Sequence, residues 1–360
     1  MRAGVVPVKR VVTPPASWPP TLIVIVDTEE EFDWSAPFDP ACTSVSNIDL
    51  QLDAQRIFDR CGLVPTYVVD YPVATTSSSV DVLAAIAQAG RCEIGAHLHP
   101  WVNPPFEGPI DTRHSYPGNL APDLERRKLA SLTQAIVANF GQSPIVYKAG
   151  RYGLGPATAE SLRFLGYRID CSVVPHTDFS ADGGPDYAAY GSTPFEVADG
   201  LVELPLSVNL VGHLAGCGPK LFRYLAGPMA RRLRLAGLWA HLGLLERLRL
   251  TPEGHTVSDM VRQTRAALEA GSKLFMLTYH SSSLKPGATA YARNESERDQ
   301  FLARLEGYIA FFLREVGGRT DTAARVAASL CPARAASPGP SAGGPLTVEG
   351  GPVRAMGGLA

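Results

Sequence analysis

The segment TLIVIVDTEE, residues 21–30, decides the fold, because an apolar run passes directly into charged residues. Residues 22–26 are all Leu, Ile or Val, as expected for a strand buried on both faces of a parallel sheet. The segment therefore predicts a central strand that ends at Asp27 and leads into an acidic loop.

Similar apolar runs recur along the chain, and stretches with helical spacing separate them. The further predicted strands are LVPTYVV (63–69), RCEIGAH (91–97), IVYKAG (145–150), YRIDCSV (167–173), LVELPL (201–206) and KLFMLTYH (273–280). About seven β-α units of this kind predict an α/β fold, a parallel sheet that closes or nearly closes into a barrel over residues 21–330.

Three other segments depart from this alternation. Residues 1–20 contain five prolines and predict an extended lead-in. Residues 211–256 predict a helical insertion, and its arginine-rich part, 219–250, suits either a membrane-surface or lid element or a helical hairpin packed on the barrel. We favour the hairpin. The tail 333–360, rich in Gly, Ala, Pro and Ser, predicts disorder.

Composition excludes several broad classes of protein. A formal net charge of -2 and a pI near 6.5 give no general attraction to nucleic acid or to anionic membranes. The six cysteines are scattered without metal-site spacing, which fits a reducing compartment. Because no secretory signal and no membrane-spanning apolar run is present, we expect a soluble, cytoplasmic protein.

Candidate chemistry follows the strands, since active sites in such barrels form at the carboxyl ends of the strands. Asp27 and Glu29 are two residues apart at the end of the first strand, so both carboxylates face one side. Such a pair suits a cation site or a proton-transfer site. The alternative, an acidic loop in solvent, fits Glu30, Glu31 and Asp33 better.

His97 and His99 have the same two-residue spacing at the end of a later strand. Two imidazoles with a carboxylate form a hydrolytic metal site that leaves positions open for water and substrate. His280 ends the most hydrophobic strand and suits proton transfer near neutral pH. Arg151 lies in a glycine-flanked turn, where it could bind a carboxylate or the substrate or could simply lie in solvent.

Taken in order along seven units, these residues resemble the polysaccharide deacetylase (NodB-homology) family over about residues 21–325. The resemblance implies a distorted (β/α)7 barrel. It also implies that Asp27 is the catalytic base. Glu29, His97 and His99 would hold a divalent metal ion, with zinc as the expected metal.

The same resemblance implies roles for three further residues. Arg151 would orient the base, His280 would be the catalytic acid, and Asp170 in RIDCS would tune His280. The chain departs from the usual family pattern at several places. Among them, the residue four after His97 is Trp101, and the arginine motif continues as Tyr-Gly-Leu.

The function implied is hydrolysis of the N-acetyl group of a sugar or glycan intermediate, with acetate as a product. One alternative is a metal-dependent hydrolase of a small non-peptide amide or cyclic imide. Another is a glycan-binding protein that has lost catalysis. The expected partner is an N-acetylated carbohydrate, with no nucleic acid and no transmembrane segment.

Overall fold

A computed structural model of the protein describes residues 6–225, 227 and 235–331. The predicted tail, 333–360, and the first five residues of the lead-in lie outside the described residues.

The core of the molecule is a parallel sheet. Its first strand, here β2, runs over Thr21–Thr28, and all eight of its residues are buried. The chain forms β1 Arg10–Val11, β2 Thr21–Thr28, β3 Thr66–Val69, β4 Glu93–Leu98, β5 Val146–Ala149, β6 Ile169–Asp170, β7 Phe195–Ala198, β8 Leu201–Glu203, β9 Val208–Val211, β10 Glu246–Arg249, β11 Leu274–His280 and β12 Arg319–Thr320.

Strands β8, β6, β5, β4, β3, β2 and β11 are adjacent in that order, and each pairs in parallel with its neighbour. Each of these strands lies within one of the seven apolar runs that the sequence predicts, or extends it by one residue. The predicted distorted (β/α)7 architecture is confirmed.

Shorter strands extend this sheet. β7 pairs with β8 and β1 pairs with β7, both antiparallel, so part of the predicted lead-in is a sheet strand. β12 adds to β2 in parallel.

Helices connect the strands. The described helices are Gln51–Arg60, Tyr71–Thr75, Ser77–Gln88, Pro122–Phe140, Thr158–Phe164, Gly218–Leu225, Leu235–His241, Val257–Glu269, Glu295–Arg314 and Ala323–Leu330. None of the helices in the described part of the chain is long and apolar enough to cross a bilayer.

The insertion 211–256 is not purely helical as predicted. Its described part includes the short helices Gly218–Leu225 and Leu235–His241, and also β10, which pairs antiparallel with β9. The prediction is wrong for residues 246–249, because a charged residue lies on either side of Leu248 in ERLR, a pattern that suits a half-buried strand as well as a helix.

This β9–β10 ribbon bridges the gap between β8 and β11. The Leu250 amide donates to Ser207 O at 2.9 Å, and the amides of Met276 and Thr278 on β11 donate to Ser207 Oγ at 2.8 Å and Leu250 O at 3.2 Å. The ribbon therefore brings its own residues to the carboxyl end of β11.

The loop after the ribbon is fixed by the start of the next helix. Thr256 Oγ1 accepts from the Asp259 amide at 3.2 Å, and the Asp259 carboxylate accepts from the Thr256 amide at 3.0 Å. This reciprocal cap holds the preceding residues, among them Glu253, in place.

Candidate active site

The predicted polar residues meet at the carboxyl ends of the parallel strands. His280 on β11 is in register with Asp27 on β2, and His97 on β4 is in register with Lys148 on β5. Parallel pairing thus brings together residues that are far apart in the chain. Asp27, Glu29, His97 and His99 are each at most 4% exposed.

Glu29, His97 and His99 form a cluster that could hold a metal ion. Glu29 Oε2 lies 3.6 Å from His97 Nε2 and 3.5 Å from His99 Nε2. Ligand atoms about 2.0–2.1 Å from a tetrahedral zinc ion are roughly 3.4 Å apart, so the spacing fits such an ion.

Hydrogen bonds to the other ring nitrogens orient both imidazoles. His97 Nδ1 donates to the Lys148 carbonyl oxygen at 2.9 Å, which leaves the Nε2 lone pair facing Glu29. His99 Nδ1 lies 2.8 Å from Glu30 Oε2. Burial lowers the pKa of His99 despite the opposing charge of Glu29, so this ring is neutral at neutral pH, as a metal ligand must be.

Glu30 does not lie in a solvent loop, as the sequence suggested, but is 1% exposed behind His99. Its amide donates to Asp70 Oδ2 at 2.6 Å. Burial raises the pKa of Glu30 to about 7 and raises the pKa of Asp70 well above its usual range. Such a supporting carboxyl group fixes the orientation of a ligand histidine.

Lys148, which the sequence analysis missed, holds the predicted base. Its Nζ donates to Asp27 Oδ1 at 2.6 Å and to Asp27 Oδ2 at 2.7 Å. Burial raises the pKa of Asp27, but the charges of Lys148, His97 and His280 and the hydrogen bond from Lys148 together outweigh burial and lower that pKa to about 2. A lysine inside the apolar run IVYKAG was the sequence signal for this role.

Arg151 therefore does not orient Asp27 as predicted. Its guanidinium lies 4.1 Å from the centre of the Tyr116 ring, and Nη1 donates to Ser115 Oγ at 2.5 Å. The cationic side chain that contacts Asp27 is that of Lys148.

Glu253, also missed, holds the predicted acid. The Nδ1 of His280 lies 3.1 Å from Glu253 Oε1 and 3.0 Å from Oε2, and His280 Nε2 lies 3.5 Å from Asp27 Oδ2. Burial opposes protonation of His280, but the charges of Glu253 and Glu29 raise its pKa well above the usual range. The raised pKa favours the protonated, cationic form of His280.

Asp170 does not contact His280, which corrects the prediction. It is in register with Tyr147 on β5 and with Glu203 on β8, and its Oδ1 accepts from Ser172 Oγ at 2.5 Å. Neighbouring residues of a strand face opposite sides, so Tyr147 and its partner Asp170 face away from the side that Lys148 occupies. Burial raises the pKa of Asp170 to about 7.

These residues open into a cleft of about 1230 Å³, above the range of about 300–1000 Å³ that is usual for small-molecule sites. One wall of the cleft is aromatic, formed by Phe32 and Trp34 with ring centres 5.1 Å apart. Behind it the buried Trp101 stacks on His99 at 4.3 Å between ring centres and lies 4.9 Å from Phe38. Trp34 is 55% exposed at the edge of this wall.

Because Gly150 has no side chain, the His99 ring can pack directly against it. A Cβ at position 150 would lie 2.3 Å from Leu98 O and 2.5 Å from His99 Cδ2, closer than real Cβ atoms approach. We expect Gly150→Ala to displace this ring and weaken metal binding by about 10- to 100-fold, the usual cost of losing support for a ligand. Titration with a metal indicator measures it.

Gly191→Ala is the matched control for this substitution, because a Cβ there meets nothing within 4 Å. Equal metal affinity in the two variants would contradict the role of Gly150.

Comparison with known proteins supports the fold. No family model matches the sequence, and no curated protein matches it either. A solved structure from Mycobacterium smegmatis, described as a polysaccharide deacetylase, matches with a TM-score of 0.52 and 18% identity, covering 90% of this chain and 95% of that one.

Two other solved structures show a weaker likeness. A protein from Pseudomonas aeruginosa described as a polysaccharide deacetylase has a TM-score of 0.48 and 13% identity over 86% of this chain and 90% of that one. PuuE allantoinase has a TM-score of 0.49 and 14% identity over 88% and 94%. The likeness to the Mycobacterium smegmatis structure shows that the chain has the fold of the polysaccharide deacetylases.

Proposed function

We propose that the protein is a metal-dependent N-deacetylase that acts on an N-acetylated sugar or glycan intermediate and releases acetate. One observation carries the proposal. A two-histidine, one-carboxylate cluster lies beside an ionised carboxylate and a cationic histidine at one mouth of this fold. These are the groups that metal-assisted amide hydrolysis requires.

Glu29, His97 and His99 would hold the ion, and their nitrogen and oxygen donors suit zinc. A divalent ion bound there supplies Lewis acidity, which polarises the acyl carbonyl and acidifies a water molecule. Glu30 and the Lys148 carbonyl keep the two imidazoles turned toward that position.

Asp27 takes the proton of the attacking water at its carboxylate. Lys148 keeps this carboxylate ionised and fixes both of its oxygens, so the acceptor is ready before substrate binds.

His280 then gives its Nε2 proton to the departing amine, without which the amide bond does not break. Glu253 accepts the hydrogen bond of Nδ1 and stabilises the imidazolium, and it also accepts from Ser283 Oγ at 2.6 Å. Glu253 therefore takes the role that the sequence gave to Asp170.

The two alternative functions are less well supported. A cleft of about 1230 Å³ with an exposed tryptophan at its edge suits a saccharide better than a small cyclic amide. A binding protein without catalysis has no need of an ionised base and a cationic acid that face each other 3.5 Å apart.

The test is a screen for acetate release from N-acetylated monosaccharides, sugar nucleotides and oligosaccharides, with and without a chelator. We expect release from at least one class of substrate, loss of release with the chelator, and recovery when zinc is restored. Release that is insensitive to the chelator would contradict the metal-dependent mechanism.

Glu253 sets the pH range in which His280 can act as an acid. An acid with a raised pKa remains protonated until the pH rises through that pKa, so the loss of activity that His280 causes lies on the alkaline side. Glu253→Gln removes the charge that raises the pKa of His280, so we expect the alkaline limb of kcat to move to lower pH.

The measurement is kcat between pH 5 and 10 for the wild type and Glu253→Gln. Glu269→Gln, on the outside of the helix Val257–Glu269, is the control and should leave the profile unchanged. An alkaline limb at the same pH in both variants would show that Glu253 does not tune His280.

A further inference from the structure

We propose that Arg151 binds an anionic group of the substrate, so that the preferred substrate is an N-acylated sugar that also carries a carboxylate or a phosphate. The inference rests on the proposed function and names its substrate class. It follows from the finding that Lys148, not Arg151, holds Asp27.

One edge of the Arg151 guanidinium is anchored. Nη1 donates to Ser115 Oγ at 2.5 Å and to Thr112 O at 3.1 Å, and the group lies over the Tyr116 ring. The side chain is only 16% exposed. Arg151 therefore has one fixed orientation in the wall of the cleft, which it lines together with the metal-binding cluster.

The charge of Arg151 lacks a close counter-charge among the described residues. Its nearest carboxylate oxygen is Asp182 Oδ2, 4.0 Å from Nη2, and the Asp182 side chain is 62% exposed. Burial lowers the pKa of Arg151 despite the opposing effect of Asp182, as expected for a cation that has lost water without gaining an equal partner.

Two other cations line the cleft. Lys285 Nζ lies 2.5 Å from Glu31 Oε2. Arg249 donates to Tyr152 Oη at 2.7 Å, its Nε has no partner among the described residues, and the charges of Glu253 and Asp27 raise its pKa. The acidic group that acts on Arg151 is Asp182, on an exposed side chain, so Arg151 is a cleft cation that a substrate anion can complement.

The backbone holds Arg151 in this place at an energetic cost. Arg151 and Tyr152 have φ of 53° and 60°, two consecutive non-glycine residues in the left-handed region. Such strained conformations concentrate at ligand sites.

The aromatic wall sets the position of the anion relative to the reacting amide. The Arg151 guanidinium lies 5.5 Å from the Phe38 ring centre, Phe38 contacts Trp101, and Trp101 stacks on His99. Two rings thus separate Arg151 from the metal-binding cluster, and Trp34, which lines the cleft 5.9 Å from the guanidinium, offers an apolar surface for the sugar. A guanidinium binds carboxylate and phosphate through paired N–H groups, so either anion fits.

Binding can be tested without turnover on the full chain. Glucose 1-phosphate and glucuronate serve as anionic probes and glucose as the neutral one, since none contains an amide. We expect both anions, or one of them, to bind at least about tenfold more tightly than glucose, in line with a charge-assisted pair. In Arg151→Gln this ratio should fall to about one.

Two further variants distinguish binding through the paired N–H groups of Arg151 from general attraction by the positive charges of the cleft. Arg151→Lys keeps the charge but loses the paired N–H groups, so its ratio should be intermediate. Lys285→Gln removes a charge that Glu31 already neutralises, so its ratio should stay near that of the wild type. Thermal melting of each variant checks that it is folded.

A second assay uses acetate release from N-acetylglucosamine, its 1-phosphate and N-acetylmuramic acid. A phosphate preference and a carboxylate preference both support the inference and identify the anion. An anion preference in binding that survives Arg151→Gln overturns it, and so does equal binding of all probes. Loss of acetate release from every substrate, with anion binding intact, refutes the proposed function and leaves the anion site standing.

Discussion

His280→Ala is expected to lower kcat for acetate release by about 10²- to 10⁴-fold, the usual contribution of a positioned acid or base. The substitution removes the cation that Glu253 holds 3.5 Å from Asp27, and with it the proton that the leaving amine requires. His280 is outside the metal-binding cluster, so the metal content should not change. Acetate assays and elemental analysis of the same sample measure both effects.

His213→Ala is a control for this variant, because His213 is exposed in the insertion. It should keep wild-type activity. If His280→Ala retains both metal and turnover, the assignment of the acid is wrong. If it loses the metal, His280 is itself a metal ligand, in addition to Glu29, His97 and His99.

His97→Ala should remove the metal and, with it, all chelator-sensitive activity. The variant leaves Glu29 with one imidazole, so the affinity should fall by more than the roughly 10- to 100-fold that loss of a supporting hydrogen bond costs. The measurements are metal stoichiometry after dialysis and the zinc concentration that restores acetate release.

Glu30→Gln is a milder variant, and its loss of metal affinity is compared with that of His97→Ala. It keeps all three proposed ligands and changes only the group that accepts from His99, so its loss of affinity should stay within the 10- to 100-fold range. Full metal stoichiometry in His97→Ala would refute the proposed ligand set.

The barrel strands were predictable because each lies in an apolar run, and a helix follows β2, β3, β4, β5 and β11. Burial on both faces requires such a composition, and β2 with eight buried residues is the extreme case. The insertion was less predictable, since a half-buried ribbon strand and an amphipathic helix share much of their pattern over four residues.

The candidate site was predictable where its residues end strands. Asp27, Glu29, His97, His99 and His280 all follow apolar runs directly, and the structure brings them together. Lys148 also gave a signal, because a charge within a buried strand needs a partner.

Glu253 gave no such signal. It lies in a loop, and its contact with His280 depends on where the β9–β10 ribbon meets β11. Asp170 looked suitable by its order in the chain, but the register of β6 turns its side chain to the other side of the sheet. Register of this kind cannot be read from one strand alone.

The ribbon that bridges β8 and β11 also has a consequence for engineering the chain. Arg249 is the last residue of the ribbon, and Glu253 follows four residues later. A shortened chain that joined β8 to the helix Val257–Glu269 would keep every parallel strand, yet would lose the partner of its acid and one side of its cleft. The ribbon departs most from the β-α pattern, yet it and the loop after it carry residues of the proposed active site. A chain trimmed to its regular β-α units is therefore expected to be inactive.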